Sequence, residues 1–251
     1  MGDDIILSAK GLTKEFRGFV AVGGVDLSIA RGTIHALIGP NGAGKTTCFN
    51  LLTKFLQPTA GSIVYKGQDI TRLAPAEITR LGLARSFQIS AVFPHMSALE
   101  NVRVALQRRR GESFDFWRSE TVLRRFNEEA MQYLGDVGLT AFADIKAGEL
   151  PYGRKRALEI ATTLALEPEL LLLDEPTAGM AQEDVERITA LVARIGRERT
   201  ILMVEHNLSV VASLANHITV LARGKVLAQG DYAMVSQDPE VIEAYIGAGH
   251  A

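Results

Sequence analysis

One nine-residue stretch, Gly39-Pro40-Asn41-Gly42-Ala43-Gly44-Lys45-Thr46-Thr47, constrains what this chain can fold into more than any other. It fits the spacing G-x-x-x-x-G-K-[ST] of a phosphate-binding loop. Residues 33–38 before it are apolar and rich in β-formers, and the segment after it carries apolar side chains at Phe49, Leu51, Leu52 and Phe55. The pattern predicts a strand, a tight loop and a helix over residues 46–55, the context in which such a loop binds phosphate. Glycines let the backbone pass close to a phosphate chain. Successive N–H groups and the helix N-terminus then face the anion. Lys45 adds a positive charge for the β- and γ-phosphates, and the Thr46 hydroxyl suits Mg²⁺.

The 251 residues suffice for a sizeable core in one domain, or in one domain with an insertion. A net charge of −2 argues against a nucleic-acid partner. The single cysteine, Cys48, excludes a disulfide within the chain and suits a reducing compartment; it reads as a small buried side chain. The start, Met1-Gly2-Asp3-Asp4, lacks the basic region of a signal peptide. No run of 18 apolar residues occurs, so work at a membrane is expected to use a partner's span.

Along the chain, residues 5–38 read as short strands separated by turns, with residues 25–29 alternating at period two. Residues 61–65, followed by Lys66-Gly67, read as another strand and turn. From about residue 90 to 165 the pattern turns helical. A helix over residues 99–106 closes at Arg108-Arg109-Arg110-Gly111, a basic run read as a solvated helix end. A second over residues 122–134 places Val122, Phe126, Ala130 and Leu134 on one face. Residues 170–173, four leucines, predict a strand buried on both faces. A helix over residues 185–195, a strand over 200–204, a helix over 208–214, a hairpin around Arg223-Gly224 and a last helix near residues 239–246 complete the reading.

The leucine strand ends in Asp174-Glu175. Carboxylates at the C-terminal ends of parallel strands lie where α/β sheets bind ligands. Asp174 suits Mg²⁺ through its water shell, and Glu175 is placed to polarise a water in line with the γ-phosphate. Glu205-His206 ends the next buried strand, which should neighbour that of Asp174, so the imidazole can reach the γ-phosphate. Gln88 follows residues 83–87 in the same manner, as a neutral amide for Mg²⁺ or the attacking water.

On these residues the chain resembles the ATP-binding subunits of ABC transporters over nearly its full length. Residues 39–46 look like Walker A, Gln88 like the Q-loop glutamine, residues 170–175 with Pro176-Thr177 like Walker B, and His206 like the switch histidine. Phe16, in Thr13-Lys14-Glu15-Phe16, is similar to the aromatic that stacks on adenine, although a strand residue packed into the β layer fits the same pattern. Leu150-Pro151-Tyr152-Gly153-Arg154 occupies the place of the signature motif, which in the family reaches the γ-phosphate bound by the other subunit. The resemblance implies an α/β fold: a P-loop NTPase (ABC ATPase) core from residues 1–89 and 166–251 with an antiparallel β subdomain, and a helical subdomain over about residues 90–165. It implies ATP and Mg²⁺ as cofactors, and ATP sandwiched in a head-to-tail dimer of two ATPase subunits. It also implies a site on the cytoplasmic face of the inner membrane, held there by permease subunits, with a solute-binding protein as an indirect partner.

Two positions depart from the family pattern. The signature serine is Pro151, which has neither hydroxyl nor N–H, and the usual aspartate of the loop after Walker B falls on Ala181. Within the family the chain is most similar to the ATPase subunits of branched-chain (hydrophobic) amino-acid importers. That likeness rests on residues 13–16, on Ala84-Arg85-Ser86-Phe87-Gln88, on residues 107–139, on Tyr152-Gly153 with residues 158–161, and on the ending 239–245. Urea, amide or other solute importers remain the alternative. A non-transport ABC ATPase is the rival from another class, and those tend to carry two cores or a coiled coil, neither of which is found here.

Overall fold

The computed structural model describes residues 4–86, 92–109 and 126–247. In chain order, a hairpin of β1 (Ile5–Phe16) and β2 (Phe19–Ala30) leads into β3 (Ile34–Ile38) and α1 (Lys45–Leu52). Then follow β4 (Ala60–Tyr65), β5 (Gln68–Asp69), α2 (Pro75–Arg80) and β6 (Leu83–Ser86). Helices α3 (Ala98–Arg109), α4 (Asn127–Asp136) and α5 (Tyr152–Leu164) come next. The α/β pattern resumes with β7 (Leu170–Asp174), α6 (Gln182–Ile195), β8 (Thr200–Val204), α7 (Leu208–Leu214), β9 (His217–Ala222) and β10 (Lys225–Gly230). Helices α8 (Tyr232–Gln237) and α9 (Pro239–Gly247) end the chain's described part.

The strands make two sheets. One is antiparallel, in the order β2-β1-β4-β5; the other runs β10-β9-β3-β8-β7-β6, parallel except for β10 at its edge. β3, β7 and β8 are buried along their whole length, as continuous apolar runs in a parallel sheet should be. Successive side chains point to opposite faces. Leu171, Leu173, Ile201, Met203, Ala36 and Ile38 therefore enter one core, which also takes the apolar faces of α3, α4, α5 and α6. Leu170, Leu172, Leu202, Val204 and Leu37 enter a second core, shared with α1 and the antiparallel sheet. Each fully buried leucine contributes about 1.5–3 kcal/mol. α1 is thus clamped between two sheets, through Cys48, Phe49, Leu51 and Leu52. Burial pushes the Cys48 thiol up to about 12, in keeping with a packing role.

Several expectations change in detail. β1 and β2 are twelve residues each rather than short strands; register shifts, among them one between Ala9 and Leu12, let the long ribbon bend without breaking. α1 stops at Leu52 rather than residue 55, because the chain turns through a left-handed Lys54 and leaves Phe55 exposed. The helix expected over residues 122–134 is described from Asn127; Phe126, Ala130 and Leu134 form its buried face, while Val122 lies outside the described residues, as does Arg110. β5, α2 and α8, of two, six and six residues, are too short to show a periodicity.

Candidate functional site

The phosphate-binding loop joins the C-terminal end of β3 to the first turn of α1, with Gly44 at the N-cap. Gly39 has φ 148°, and a Cβ there would lie 2.1 Å from the Leu221 carbonyl oxygen of β9, so only glycine fits. The Gly224 N–H donates to the Ala43 carbonyl at 2.9 Å, and the Gly23 N–H donates to the Gly224 carbonyl at 2.8 Å. The loop is thereby fastened to the β9–β10 tip and to β2. Lys45, Thr46 and Thr47 form the first turn of α1, whose N–H groups have no acceptor further back in the helix. Asn41, Gly42 and Thr46 are exposed, Pro40, Gly44 and Thr47 half-buried, and Ala43 buried. The Lys45 ammonium donates to the carbonyls of Gly39 at 2.7 Å and Pro40 at 2.9 Å. Burial holds its pKa below the usual lysine range, and the nearby Glu175 carboxylate partly opposes that.

The sheet order brings three strand ends side by side. Leu37 of β3 pairs with Val204 of β8, and Val204 pairs with Asp174 of β7. Asp174 is buried; its Oδ2 accepts from Arg85 Nη2 at 2.6 Å, and its backbone oxygen accepts from Arg156 Nη2 at 2.6 Å. Arg85 also donates to the Asn50 side chain on α1 at 2.6 Å. Arg156, one turn into α5, pairs with Glu159 at 2.7 Å. Glu175 adopts a left-handed φ of 44°, a conformation that costs a non-glycine residue about 1–3 kcal/mol. Its N–H donates to the Val204 carbonyl at 2.9 Å, which helps hold the turn. Glu175 Oε1 lies 3.9 Å from His206 Nδ1, across the neighbouring ends of β7 and β8.

Phe16 ends β1 as a 42% exposed residue, with the Lys14 ammonium 5.2 Å from its ring centroid, so it is not packed inside the β layer. Leu150 is buried, Pro151 is the N-cap of α5, and Tyr152 is exposed. Gly153 is buried, and a Cβ there would meet the Asp184 carboxylate of α6 at 2.5–2.7 Å. Ala181 is the N-cap of α6 and offers no side-chain acceptor to its first turn. Gln88 lies outside the described residues.

Among the described residues no cluster of three His, Cys, Asp or Glu side chains could hold a metal unaided. A threonine hydroxyl and one carboxylate are instead the sparse oxygen set that suits Mg²⁺ carried in with phosphate oxygens. Sequence reasoning left two structural partners of the site without a role. Arg85 stands in the 84–88 stretch and Glu205 directly precedes His206, but the contacts of Arg85 with Asp174 and of Glu205 with Thr177 join elements distant in the chain and leave no local signal.

Residues 22–178 match the family model described as ABC transporter, and residues 225–251 match one described as branched-chain amino acid ATP-binding cassette transporter. The chain is 42% identical to the high-affinity branched-chain amino acid transport ATP-binding protein BraF of Pseudomonas aeruginosa, over 96% of this chain and 98% of that protein. It is 37% identical to the corresponding LivG protein of Escherichia coli, with the same coverage. Among solved structures it is similar to a nucleotide-free ATP-binding cassette from an ABC transporter, with a TM-score of 0.84, 31% identity, and coverage of 97% of this chain and 99% of that one. A structure of the ADP conformation of an ATP-binding cassette of an ABC transporter matches with a TM-score of 0.84 at 30% identity, over 97% of this chain and 99% of that one. Family model, relatives and fold agree, and the chain belongs to the ABC transporter family as one of its ATP-binding, ATP-hydrolysing subunits.

Proposed function

We propose that this subunit powers a membrane importer of branched-chain or other hydrophobic amino acids. The observation that carries the ATPase half of the reading is the convergence of Lys45, Asp174, Glu175 and His206 at the ends of three neighbouring strands. The transported class rests on likeness: relatives named for branched-chain amino acid transport match nearly the whole chain, and residues 225–251 match a model named for the same transport. Gly39, Pro40, Asn41, Gly42, Ala43, Gly44, Lys45, Thr46 and Thr47 cradle the triphosphate, and Phe16 offers its exposed ring to the adenine. Mg²⁺ bound with the nucleotide supplies charge neutralisation between the phosphates. Thr46, Asp174 and Gln88 are the side chains assigned to it. Glu175 accepts the proton of the attacking water, and His206 contacts the γ-phosphate.

Leu150, Pro151, Tyr152 and Gly153 face the nucleotide of a second ATPase subunit, whether an identical copy or a paralogue. A dimeric cassette of 25% identity and TM-score 0.76, bound to ADP and phosphate, supports that arrangement by likeness. The whole chain acts as one domain, with residues of about 90–165 as its helical part. Among the described residues no helix is long and apolar enough to cross a membrane. By likeness to the transport ATP-binding relatives, permease subunits supply the span and hold the chain on the cytoplasmic face of the inner membrane. A solute-binding protein acts on the far side, and no nucleic acid takes part. The test is reconstitution with its permease in vesicles. ATP-driven uptake of leucine, isoleucine or valine, lost in Glu175→Gln, is the expected result; uptake of urea or amides alone would overturn the amino-acid reading.

A further inference from the structure

Glu205 directly follows β8 and is completely buried, with 0% of its surface exposed. A carboxylate in that setting is costly unless hydrogen bonds satisfy it. Four donors converge on it. Oε1 accepts from the Thr177 N–H at 3.1 Å and the Thr177 hydroxyl at 2.5 Å. Oε2 accepts from the N–H groups of His206 at 2.9 Å and Asn207 at 3.1 Å. One oxygen therefore holds the turn after β7, and the other holds the loop after β8. Three of the four partners are backbone N–H groups, which cannot become acceptors, so a side-chain amide cannot satisfy both ends at once. Glu175 lies two residues before Thr177, and His206 directly follows Glu205. The turn itself is strained at Glu175 and needs an external hold. The loop continues into α7, capped by the Asn207 side chain, so its backbone direction also sets where α7 begins.

We propose that Glu205 is a positioning residue that joins the turn carrying Glu175 to the loop carrying His206, so that the two side chains approach as one unit. The proposal rests on the reading of Glu175 and His206 as the hydrolytic pair. It assigns Glu205 no contact with nucleotide: it acts through the backbone of its two neighbours. A purely stabilising carboxylate would alter melting and leave the partition between binding and turnover unchanged.

The test is single-turnover ATP hydrolysis by the full chain in excess, with ATP affinity measured by calorimetry on the same preparations. Glu205→Gln should slow hydrolysis by between about tenfold and a hundredfold, the range a small misplacement of catalytic groups produces, with affinity within about threefold of wild type. In a His206→Ala background the same substitution should cost clearly less than in the wild type, because one of the two groups that Glu205 joins is gone. Retention of the full factor in that background, a parallel fall of affinity and rate, or an unchanged rate would each overturn the proposal. Glu175→Gln serves as the control for the underlying reading. If it leaves hydrolysis intact, the hydrolytic assignment itself fails; if it abolishes hydrolysis while Glu205→Gln is silent, only the positioning role fails. Should Glu205→Gln not fold, Thr177→Val removes the hydroxyl bond alone. Amide hydrogen exchange at His206 and Asn207 should then quicken in concert with the loss of rate, and unchanged exchange would show that the two loops are not joined.

Discussion

The Arg85 guanidinium lies 2.6 Å from the Asp174 carboxylate at a depth where both side chains are nearly out of water, 10% and 2% exposed. The same guanidinium holds Asn50 on α1, so the helix that begins in the phosphate loop, the strand that leads towards Gln88 and the strand that ends in Asp174 meet at one cation. Removing one partner of a buried pair leaves the other charge uncompensated, at a cost of about 3–5 kcal/mol. Arg85→Leu is expected to lower unfolding stability by that order in urea titrations. In an Asp174→Asn background the loss should shrink, since the stranded charge is no longer there. Equal losses in both backgrounds would mean that the pair is incidental.

Gly39→Ala should be more damaging than its size suggests. The new methyl would sit 2.1 Å from the Leu221 carbonyl oxygen, at a φ of 148° that alanine rarely adopts. Either the loop or β9 must move, and the expected cost is about 3 kcal/mol or more. A thermal melt reads the stability, and calorimetry with ATP reads the deformed cradle. An alanine variant that melts and binds like wild type would show that the loop has slack.

Lys45→Ala is expected to weaken ATP binding by at least about tenfold, the value of one lost charge-assisted contact. Burial already lowers this ammonium's pKa, so it is held partly desolvated and pre-oriented by the Gly39 and Pro40 carbonyls. Lys45→Arg should not restore affinity, since a planar guanidinium cannot occupy the same carbonyl cradle. Calorimetric dissociation constants decide, and an unchanged value for the alanine variant would remove Lys45 from the site.

How much of this was legible in the sequence depends on the range of the interaction. The strand–loop–helix at residues 33–55 and the buried runs of β7 and β8 were readable because their signals are local: period, spacing and turn residues. The adjacency of the His206 and Asp174 strands was readable by analogy with α/β sheets, and β8 does pair with β7. The antiparallel ribbon was misjudged because bulges interrupt its alternation while its pairing continues. Arg85 and Glu205 look like ordinary polar residues at strand ends. Their partners lie 89 and 28 positions away, and only the closed sheet brings them together.

A histidine at the opposite end of the sheet makes acid stability predictable. His35 is buried in β3, with Nε2 2.9 Å from the Thr219 hydroxyl and its ring centroid 4.9 Å from that of His217. Burial first, and His217 second, lower its pKa to about 3. The unfolded chain takes up a proton near pH 6.5 that the folded chain refuses until about pH 3, so stability falls as pH drops through that window. One such group removes about 2 kcal/mol between pH 7 and pH 5. Urea unfolding at both pH values should show His35→Gln losing less than wild type by about that amount. If both lose equally, the histidine is not held neutral.

The dimer seam is the last consequence, and it turns on Pro151. This residue is the N-cap of α5 at φ −55° and ψ 155°, with no side-chain cap to the helix behind it. A serine tolerates the same backbone region and brings a hydroxyl that the first-turn N–H groups can use, worth about 0.5–2 kcal/mol to the helix. The same hydroxyl is what the family's signature motif presents to the opposing γ-phosphate, and one such donor is worth about 1–3 kcal/mol. Ala181, the uncapped start of α6, removes a second polar group from the region. The isolated chain should therefore be a weak ATPase, activated when a permease holds two copies together and raises their effective concentration. Pro151→Ser in a Glu175→Gln protein should shift size-exclusion elution towards dimer in ATP and Mg²⁺, and should also raise the melting temperature. A higher melting temperature without more dimer would assign the serine's gain to the helix cap alone, leaving the Gly153 N–H and the α5 N-terminus as the whole of the cross-dimer contact.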